Sequence, residues 1–289
     1  MESLSGRIAL LASDRESGAS EILDEVIAIL REAVAAGVPM LPVARAVCRA
    51  QPTMASVWNA ALEVLAPGGA ERLETFAQRV TRGADAAVRV GSAFFLDEVE
   101  RPLRVVTLSF SRSVASLLEA IATRRDVRVS CSESRPALEG RRLASRLGSA
   151  GIAVTAFSDA ALGHALASAD AVLVGADAVA PDWFLNKSGT RMLAAAAAQQ
   201  GIPVYVVATR DKFVGHGVAA RLVLREGAPK DIWESPPAGV TVRNPYFEPT
   251  PLELVASLIT DMGVIGASLA AEVCEAVSRD QPPDLIEQL

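Results

Sequence analysis

The sequence contains few of the residues that form disulfides or bind metal ions. It has three cysteines, and Cys48, Cys131 and Cys274 are far apart and lie in apolar surroundings. No CxxC spacing occurs, so we expect no disulfide framework and a reducing, cytoplasmic compartment. The two histidines, His164 and His216, have no partners at the spacing of metal ligands, so we expect no bound metal.

The chain also lacks the segments that direct proteins to membranes or nucleic acids. Its N-terminus has no basic region followed by a long apolar core, and no apolar run is long enough to span a bilayer. The formal net charge is −6, which argues against a polybasic nucleic-acid binder. We therefore expect neither a membrane nor a nucleic acid as a partner.

Nucleotide-binding fingerprints are missing as well. Neither a GxGxxG motif nor a P-loop occurs, so we expect no cofactor of the NAD or ATP type. What the chain does have is length and apolar content. Its 289 residues, 51% of them hydrophobic, are enough to form one large domain or two ordinary ones around a sizeable core.

Helical spacing dominates the first hundred residues. Apolar residues recur every three or four positions over residues 20–36, and further helices are predicted from about Thr53 and from Ala70 towards Val99. No segment in this part has a convincing strand pattern. We therefore predict a helical N-terminal domain over residues 1–101.

Strands alternate with helices in the rest of the chain. Strands are predicted at residues 105–108, 127–131, 152–157, 171–174 and 204–208, and helices between them at residues 114–125, 140–150, 160–167 and 190–200. A final helical stretch is predicted from Leu252. Such alternation is typical of βαβ units. The predicted fold class is therefore α/β, with the helical domain followed by a Rossmann-like domain, a doubly wound parallel sheet, over residues 102–289.

The most distinctive segment follows the apolar run at residues 171–174. Gly175 and Asp177 end that run, and Asn186 and Lys187 come shortly before a helix-like segment. In a parallel sheet, polar groups at the end of a strand lie at the carboxyl edge, where open α/β folds bind ligands. A carboxylate, an amide, an ammonium group and a helix start suit an anionic ligand that carries hydroxyl groups.

Several short elements occur in an order that resembles a known family. They are Ser132-Glu133-Ser134-Arg135-Pro136 followed by Gly140, Asp159-Ala160-Ala161, Gly175-Ala176-Asp177, Asn186-Lys187-x-Gly189-Thr190, Lys212-Phe213 and Asn244-Pro245-x-Phe247-x-x-Thr250-Pro251. Together they resemble the family of the alpha, beta and delta subunits of eukaryotic initiation factor 2B. Methylthioribose-1-phosphate isomerase and ribose-1,5-bisphosphate isomerase are its enzymatic relatives. The resemblance implies a helical N-terminal domain, a Rossmann-like C-terminal domain and usually a dimer.

The resemblance also implies roles for individual residues. The family's isomerases convert an aldose 1-phosphate to a ketose, which requires acid–base groups beside the reacting carbons and anchors for phosphate. They use a cysteine and an aspartate, and Asp177 matches the aspartate. The other candidate ligand-binding residues are Arg135, Glu139, Gly140, Asn186, Lys187, Gly18, Ala19 and Arg15.

Four positions depart from the pattern that the isomerases show. Ser109 stands at the cysteine position, Ser17 and Gln51 stand where the isomerases have arginines, and Glu139 replaces a ligand-binding glutamine. A serine hydroxyl is a far poorer acid than a thiol, so Ser109 is favoured as a small residue at a strand end over a nucleophile. A carboxylate about 4 Å from a phosphate costs roughly 4 kcal/mol at an effective dielectric constant near 20. Arg15 and Arg112 are candidates to compensate for the lost cations.

Two functional hypotheses follow. The favoured one is an initiation-factor-2B-like protein that binds a small phosphorylated ligand (a sugar phosphate or nucleotide) or a regulatory protein partner, as a homodimer or homo-oligomer, without the cysteine-dependent chemistry. The alternative is an aldose–ketose isomerase acting on ribose 1,5-bisphosphate or methylthioribose 1-phosphate. Structural roles stay open as well: Asp177 as the cap of a turn, Arg135 as a turn residue paired with Glu133 or another carboxylate, and Cys131 as inert core.

Overall fold

A computed structural model describes residues 3–14, 17–96, 101–224 and 226–289. The chain begins with five helices, which are α1 (Leu4–Ser13), α2 (Ala19–Ala35), α3 (Met40–Ala50), α4 (Ala55–Leu65) and α5 (Gly69–Leu96). Helices α2, α4 and α5 confirm the three predicted helices, although the predicted end of the third near Val99 lies outside the described residues. Helices α1 and α3 were not predicted. Residues 3–14 and 17–96 contain no strand, as expected.

The rest of the chain alternates between strands and helices. The strands are β1 (Leu103–Thr107), β2 (Val127–Ser132), β3 (Ala153–Phe157), β4 (Ala171–Gly175), β5 (Ala178–Val179), β6 (Trp183–Lys187), β7 (Val204–Val207), β8 (Phe247–Pro251), β9 (Ser257–Thr260) and β10 (Gly263–Ile265). The helices are α6 (Arg112–Ala122), α7 (Glu139–Ser149), α8 (Thr190–Gln199), α9 (His216–Ala219), α10 (Ala267–Arg279) and α11 (Pro283–Gln288). The short helix predicted at residues 160–167 is a 3₁₀ helix, Asp159–Ser168.

Seven strands form the central sheet in the order β10-β9-β7-β4-β1-β2-β3, and only β10 is antiparallel to its neighbour. Helices cover both faces. Val105 packs with residues of α6 and α7 on one face, whereas Val106, its neighbour in β1, packs with residues of α8 and α10 on the other. The predicted α/β class and mostly parallel, doubly wound sheet are confirmed. Because the strands are parallel, their carboxyl ends meet along one edge of the sheet.

The helical stretch predicted from Leu252 is wrong. A single 3₁₀ turn at Leu252–Leu254 leads into β9 and β10, which extend the central sheet beyond β7. Leu258 and Ile259 of β9 are fully buried, one on each face. A short apolar run that is buried on both sides has no alternation, so periodicity alone does not distinguish it from a helix.

A second, three-stranded antiparallel sheet was also missed. Strands β5, β6 and β8 pair in the order β5-β6-β8, with Lys187 of β6 opposite Phe247 of β8. Strands β5 and β6 follow directly after β4 in the chain. Asn186 and Lys187, which were predicted to lie in a segment before a helix, therefore belong to a strand that is held in register at the carboxyl edge of the central sheet.

The N-terminal helices pack onto this second sheet. Their core includes Ala178, Leu185 and Val214, and the backbone N–H of Ala55 donates to the carbonyl oxygen of Asp177 at 3.1 Å. The helices therefore cover the carboxyl edge of the central sheet, while the domain boundary at residues 101 and 102 stays a prediction. None of the described helices has the length and apolar character needed to cross a membrane.

Candidate functional site

A cavity of about 220 Å³ lies where the N-terminal helices cover the carboxyl edge of the sheet. Three strand ends reach it, at Ser109 after β1, at Asp177 after β4 and at Lys187 in β6. Further lining residues come from the start of α2, the segment before α4, the start of α6 and the segment before β8: Gly18, Ala19, Ser20, Gln51, Thr53, Ser111, Arg112, Ser113 and Tyr246. The sequence placed a ligand site at this edge, and the cavity lies there.

Backbone strain is concentrated beside the end of β1. Ser109, Ser134 and Leu138 have φ values of +64°, +60° and +62°, in the left-handed region that non-glycine residues rarely adopt. The N–H of Ser109 donates to the Ser134 hydroxyl at 2.7 Å. The Asp159 carboxylate accepts from the N–H groups of Ser134 and Arg135 at 2.7 and 2.8 Å. The motif around Ser134 therefore holds the cavity wall in a strained shape, which is a frequent feature of functional sites.

Two predicted site residues do not line the cavity. The side chain of Arg135 is exposed. One alternative paired Arg135 with Glu133, but in the structure Glu133 pairs with Arg141 at 2.6 Å. Gly140 is buried against the preceding turn, where an added Cβ would lie 1.7 Å from the carbonyl oxygen of Ser132. Gly140 therefore allows α7 to begin close to that turn, which fixes the position of Glu139.

Glu139 and Lys187 form an ion pair at the cavity wall. The Lys187 ammonium lies 2.9 and 3.1 Å from the two carboxylate oxygens, and it sits 3.4 Å from the ring centroid of Tyr246. The Lys187 side chain is 3% exposed and that of Glu139 is 14% exposed. Burial lowers the pKa of the Lys187 ammonium, although the nearby carboxylate of Glu139 opposes this shift. Asn186 is buried next to it and donates to the Thr190 hydroxyl at 3.0 Å.

Asp177 lies between the two sheets, and its backbone is fixed on both sides. Its N–H donates to the carbonyl oxygen of Leu185 at 2.8 Å, and its carbonyl oxygen accepts from Ala55. The carboxylate lines the cavity and caps no backbone N–H group among the described residues. Burial raises its pKa, although Lys212 and Lys187 oppose the shift. A carboxyl group with a raised pKa in a cavity is a candidate acid–base group.

Lys212 is a residue of the candidate site that was not predicted from the sequence. It lines the cavity near Asp177, and its ammonium group makes no hydrogen bond or ion pair with the described residues. Its position shortly after β7, which is the sheet neighbour of β4, could have indicated that it belongs to the site. Since parallel strands end at one edge, a polar residue after β7 is expected near one after β4.

The starts of α2 and α6 lie at the cavity. The first turn of a helix leaves backbone N–H groups without intrahelical partners and favours anions. Ser111 is the N-cap of α6, and its hydroxyl accepts from Val114. Arg112 pairs with Glu21 at 3.2 Å, and Glu21 also accepts from the N–H of Gly18 at 2.7 Å. The two helix starts are therefore tied together. Arg15 lies outside the described residues.

The three cysteines lie away from the cavity and are buried. Burial raises the pKa of the Cys131 thiol to about 11 and that of Cys274 to about 12, so neither ionises near neutral pH. Cys131 is part of the core packed on the sheet, as the structural alternative predicted. Within the described ranges, no cluster of His, Cys, Asp and Glu side chains suits a metal ion.

We expect Asp177→Asn to change how stability depends on pH. The raised pKa means that the folded state favours the protonated carboxyl group, so this contribution is present below the unfolded pKa and is lost as pH rises through the folded pKa. The wild type should therefore lose free energy of unfolding relative to the variant as the pH rises above about 4, the ordinary pKa of an aspartate in the unfolded chain. Urea unfolding of both proteins at a series of pH values measures the difference in their free energies of unfolding. A wild type that gains stability relative to the variant with rising pH would contradict the assignment.

Comparisons with known proteins agree with this architecture. A model of the "Initiation factor 2 subunit family" matches residues 9–267. The chain is 32% identical to a putative translation initiation factor eIF-2B subunit 2-like protein of Pyrococcus abyssi, covering 74% of this chain and 76% of that protein. It is also 32% identical to the ribose 1,5-bisphosphate isomerase of Archaeoglobus fulgidus, covering 76% and 74%.

Solved structures show the same fold. The Pyrococcus horikoshii translation initiation factor eIF-2B superposes with a TM-score of 0.77 at 24% identity, covering 91% of this chain and 96% of that one. A chain of the tetrameric eIF2B-beta2-delta2 complex of C. thermophilum superposes with a TM-score of 0.71 at 18% identity, covering 95% and 94%. The matched proteins thus include both initiation-factor-like proteins and sugar-phosphate isomerases.

Proposed function

The chain belongs to the initiation factor 2 subunit family, and from this premise we propose that it binds a small phosphorylated ligand, a sugar phosphate or nucleotide, without cysteine-dependent isomerase chemistry. The observation that carries the proposal is the composition of the cavity. Its walls combine helix starts and the ammonium of Lys212, which has no hydrogen-bond or ion-pair partner among the described residues, with the carboxylate of Asp177. No described lining residue is a cysteine, and Ser109 lies at the end of β1 instead.

Different parts of the cavity suit different parts of such a ligand. The N–H groups at the starts of α2 and α6 suit a phosphate group, and Arg112 borders them in its ion pair with Glu21. The Asp177 carboxylate suits hydroxyl donors, since an ionised carboxylate only accepts hydrogen bonds. A ligand with a phosphate at one end and hydroxyl groups at the other matches both parts.

The alternative is an aldose–ketose isomerase, and one observation favours it. Burial raises the pKa of Asp177, and a carboxyl group with a raised pKa is a candidate for general acid–base catalysis. The reaction requires a second proton-transferring group. Ser109 is a poor substitute for a thiol because its hydroxyl has no histidine partner among the residues that line the cavity.

We also propose that the protein works as a homodimer or homo-oligomer in the cytoplasm and that it has a regulatory protein partner. The support for assembly is the tetrameric beta2-delta2 complex among the related structures. The apolar side chains of Ile232 and Trp233, exposed by 46% and 49%, support a protein contact as well.

Thermal unfolding with a panel of sugar phosphates and nucleotides tests the proposal. A ligand at 100 times its Kd stabilises a protein by about 2.7 kcal/mol, so one class of compound should raise the Tm by several degrees. Lys212→Met should weaken that shift strongly, because it removes the unpaired cation from the cavity. Lys230→Met is the matched control, since Lys230 is exposed and does not line the cavity. No shift with any compound would contradict the proposal, as would equal effects of the two substitutions.

A further inference from the structure

The ion pair between Lys187 and Glu139 occupies part of the hydrogen-bonding capacity of the ammonium group. An ammonium group has three N–H donors. Two carboxylate oxygens of Glu139 lie 2.9 and 3.1 Å from it, and the Tyr246 ring covers it with a centroid distance of 3.4 Å. A ligand in the cavity therefore meets a cation that already has partners on two sides.

Rigid elements hold both members of the pair. Lys187 is the last residue of β6, paired with Phe247 of β8 and next to Tyr246 of the cavity wall. Glu139 is the first residue of α7, and its neighbour Gly140 packs against the carbonyl oxygen of Ser132. The carboxylate is thus a part of the cavity wall beside the ammonium group.

The pair changes what this part of the cavity attracts. A phosphate group that approaches Lys187 also approaches the Glu139 carboxylate, so repulsion offsets the attraction. Asp159 and Asp177 add two further carboxylates that interact electrostatically with Lys187. Carboxylates around one ammonium group favour hydrogen-bond donors, such as hydroxyl groups, over a second anion.

We propose that Glu139 determines specificity by restricting the cavity to ligands with a single phosphate group, whose hydroxyl-bearing end lies against Glu139 and Asp177. This inference rests on the proposed function. It goes further in naming the class of ligand, a sugar monophosphate rather than a bisphosphate, and the residue that makes the distinction. The single phosphate lies at the starts of α2 and α6, away from the ion pair.

Calorimetric titration with two probes, ribose 5-phosphate and ribose 1,5-bisphosphate, tests this inference. The wild type should bind the monophosphate at least about ten-fold more tightly than the bisphosphate. Glu139→Gln should free the ammonium group and raise the affinity for the bisphosphate, relative to that for the monophosphate, by about ten-fold or more. A wild type that binds the bisphosphate as tightly as the monophosphate would overturn the inference while leaving the proposed function intact.

The double variant Lys187→Met/Glu139→Gln covers the case in which Glu139→Gln is too unstable to study. It removes both charges, so it should show little of the gain in affinity for the bisphosphate that Glu139→Gln shows, whatever its affinity for the monophosphate. A gain as large as that of Glu139→Gln would show that Lys187 does not hold the second phosphate, and it would overturn the inference. If neither probe binds any of the three proteins, pentose phosphates are not ligands, and both the inference and the sugar-phosphate form of the proposed function fail.

Discussion

Replacing Gly140 with alanine should lower the free energy of unfolding by about 3 kcal/mol or more, and it should weaken ligand binding in the protein that still folds. The added Cβ would lie 1.7 Å from the carbonyl oxygen of Ser132 and 3.0 Å from the carbonyl carbon of Glu133. Both atoms belong to the backbone, so no side-chain rotation relieves the clash. The start of α7 must move away, and Glu139 moves with it. Urea unfolding at neutral pH measures the loss.

Gly148→Ala provides the matched control for this substitution. Gly148 lies in the same helix, is exposed, and would bring its Cβ within 4 Å of nothing. Alanine is the better helix former, so this variant should be neutral or more stable by up to about 1 kcal/mol. If both variants lose the same stability, the tight packing of Gly140 against Ser132 is not what holds the cavity wall.

Replacing Lys187 with methionine should destabilise the protein by about 2 kcal/mol at neutral pH. Methionine fills a similar space, but it leaves the Glu139 carboxylate without its cation at a site where the side chain is only 14% exposed. The loss is smaller than for a fully buried pair, because Glu139 borders the cavity. Chemical unfolding of the variant and of the wild type gives the difference.

The double variant Lys187→Met/Glu139→Gln distinguishes the contribution of the ion pair to stability from that of the packing of the lysine side chain. With both charges removed, no uncompensated carboxylate remains, and the stability should return to within about 1 kcal/mol of the wild type. A double variant as unstable as Lys187→Met would mean that the packing of the lysine stem against Tyr246, rather than the charge, is what matters.

Most of the fold was predictable because its signals are local. The alternation of apolar strands and helices from β1 to β7 identified the central sheet. Helix α3 was not predicted from the local sequence. Pro42 lies in its first turn, a position that tolerates proline, so it does not break the helix. Strand β9 was not predicted for a different reason. Its burial on both faces depends on helices packed from distant parts of the chain.

The candidate site was predictable only in part. Asp177 and Lys187 were identified because they follow an apolar strand and carry polar groups. The ion pair was not, because Lys187 and Glu139 are 48 positions apart and meet only through the second sheet. Glu139 was expected simply to repel phosphate, whereas in the structure it also neutralises the lysine that was expected to attract it. Lys212 was overlooked because its place beside Asp177 depends on the order of β4 and β7 in the sheet.

The most direct test of binding without isomerisation is a ³¹P NMR spectrum of a mixture of sugar monophosphates, including methylthioribose 1-phosphate, and nucleotides, recorded with and without the protein. We expect at least one resonance to shift or broaden when the protein is added, because that compound exchanges with the cavity beside Asp177 and Lys212. We expect no new resonance over many hours, because no thiol reaches the cavity walls described. A product signal that grows with protein concentration, or a spectrum that the protein leaves unchanged, would contradict this account.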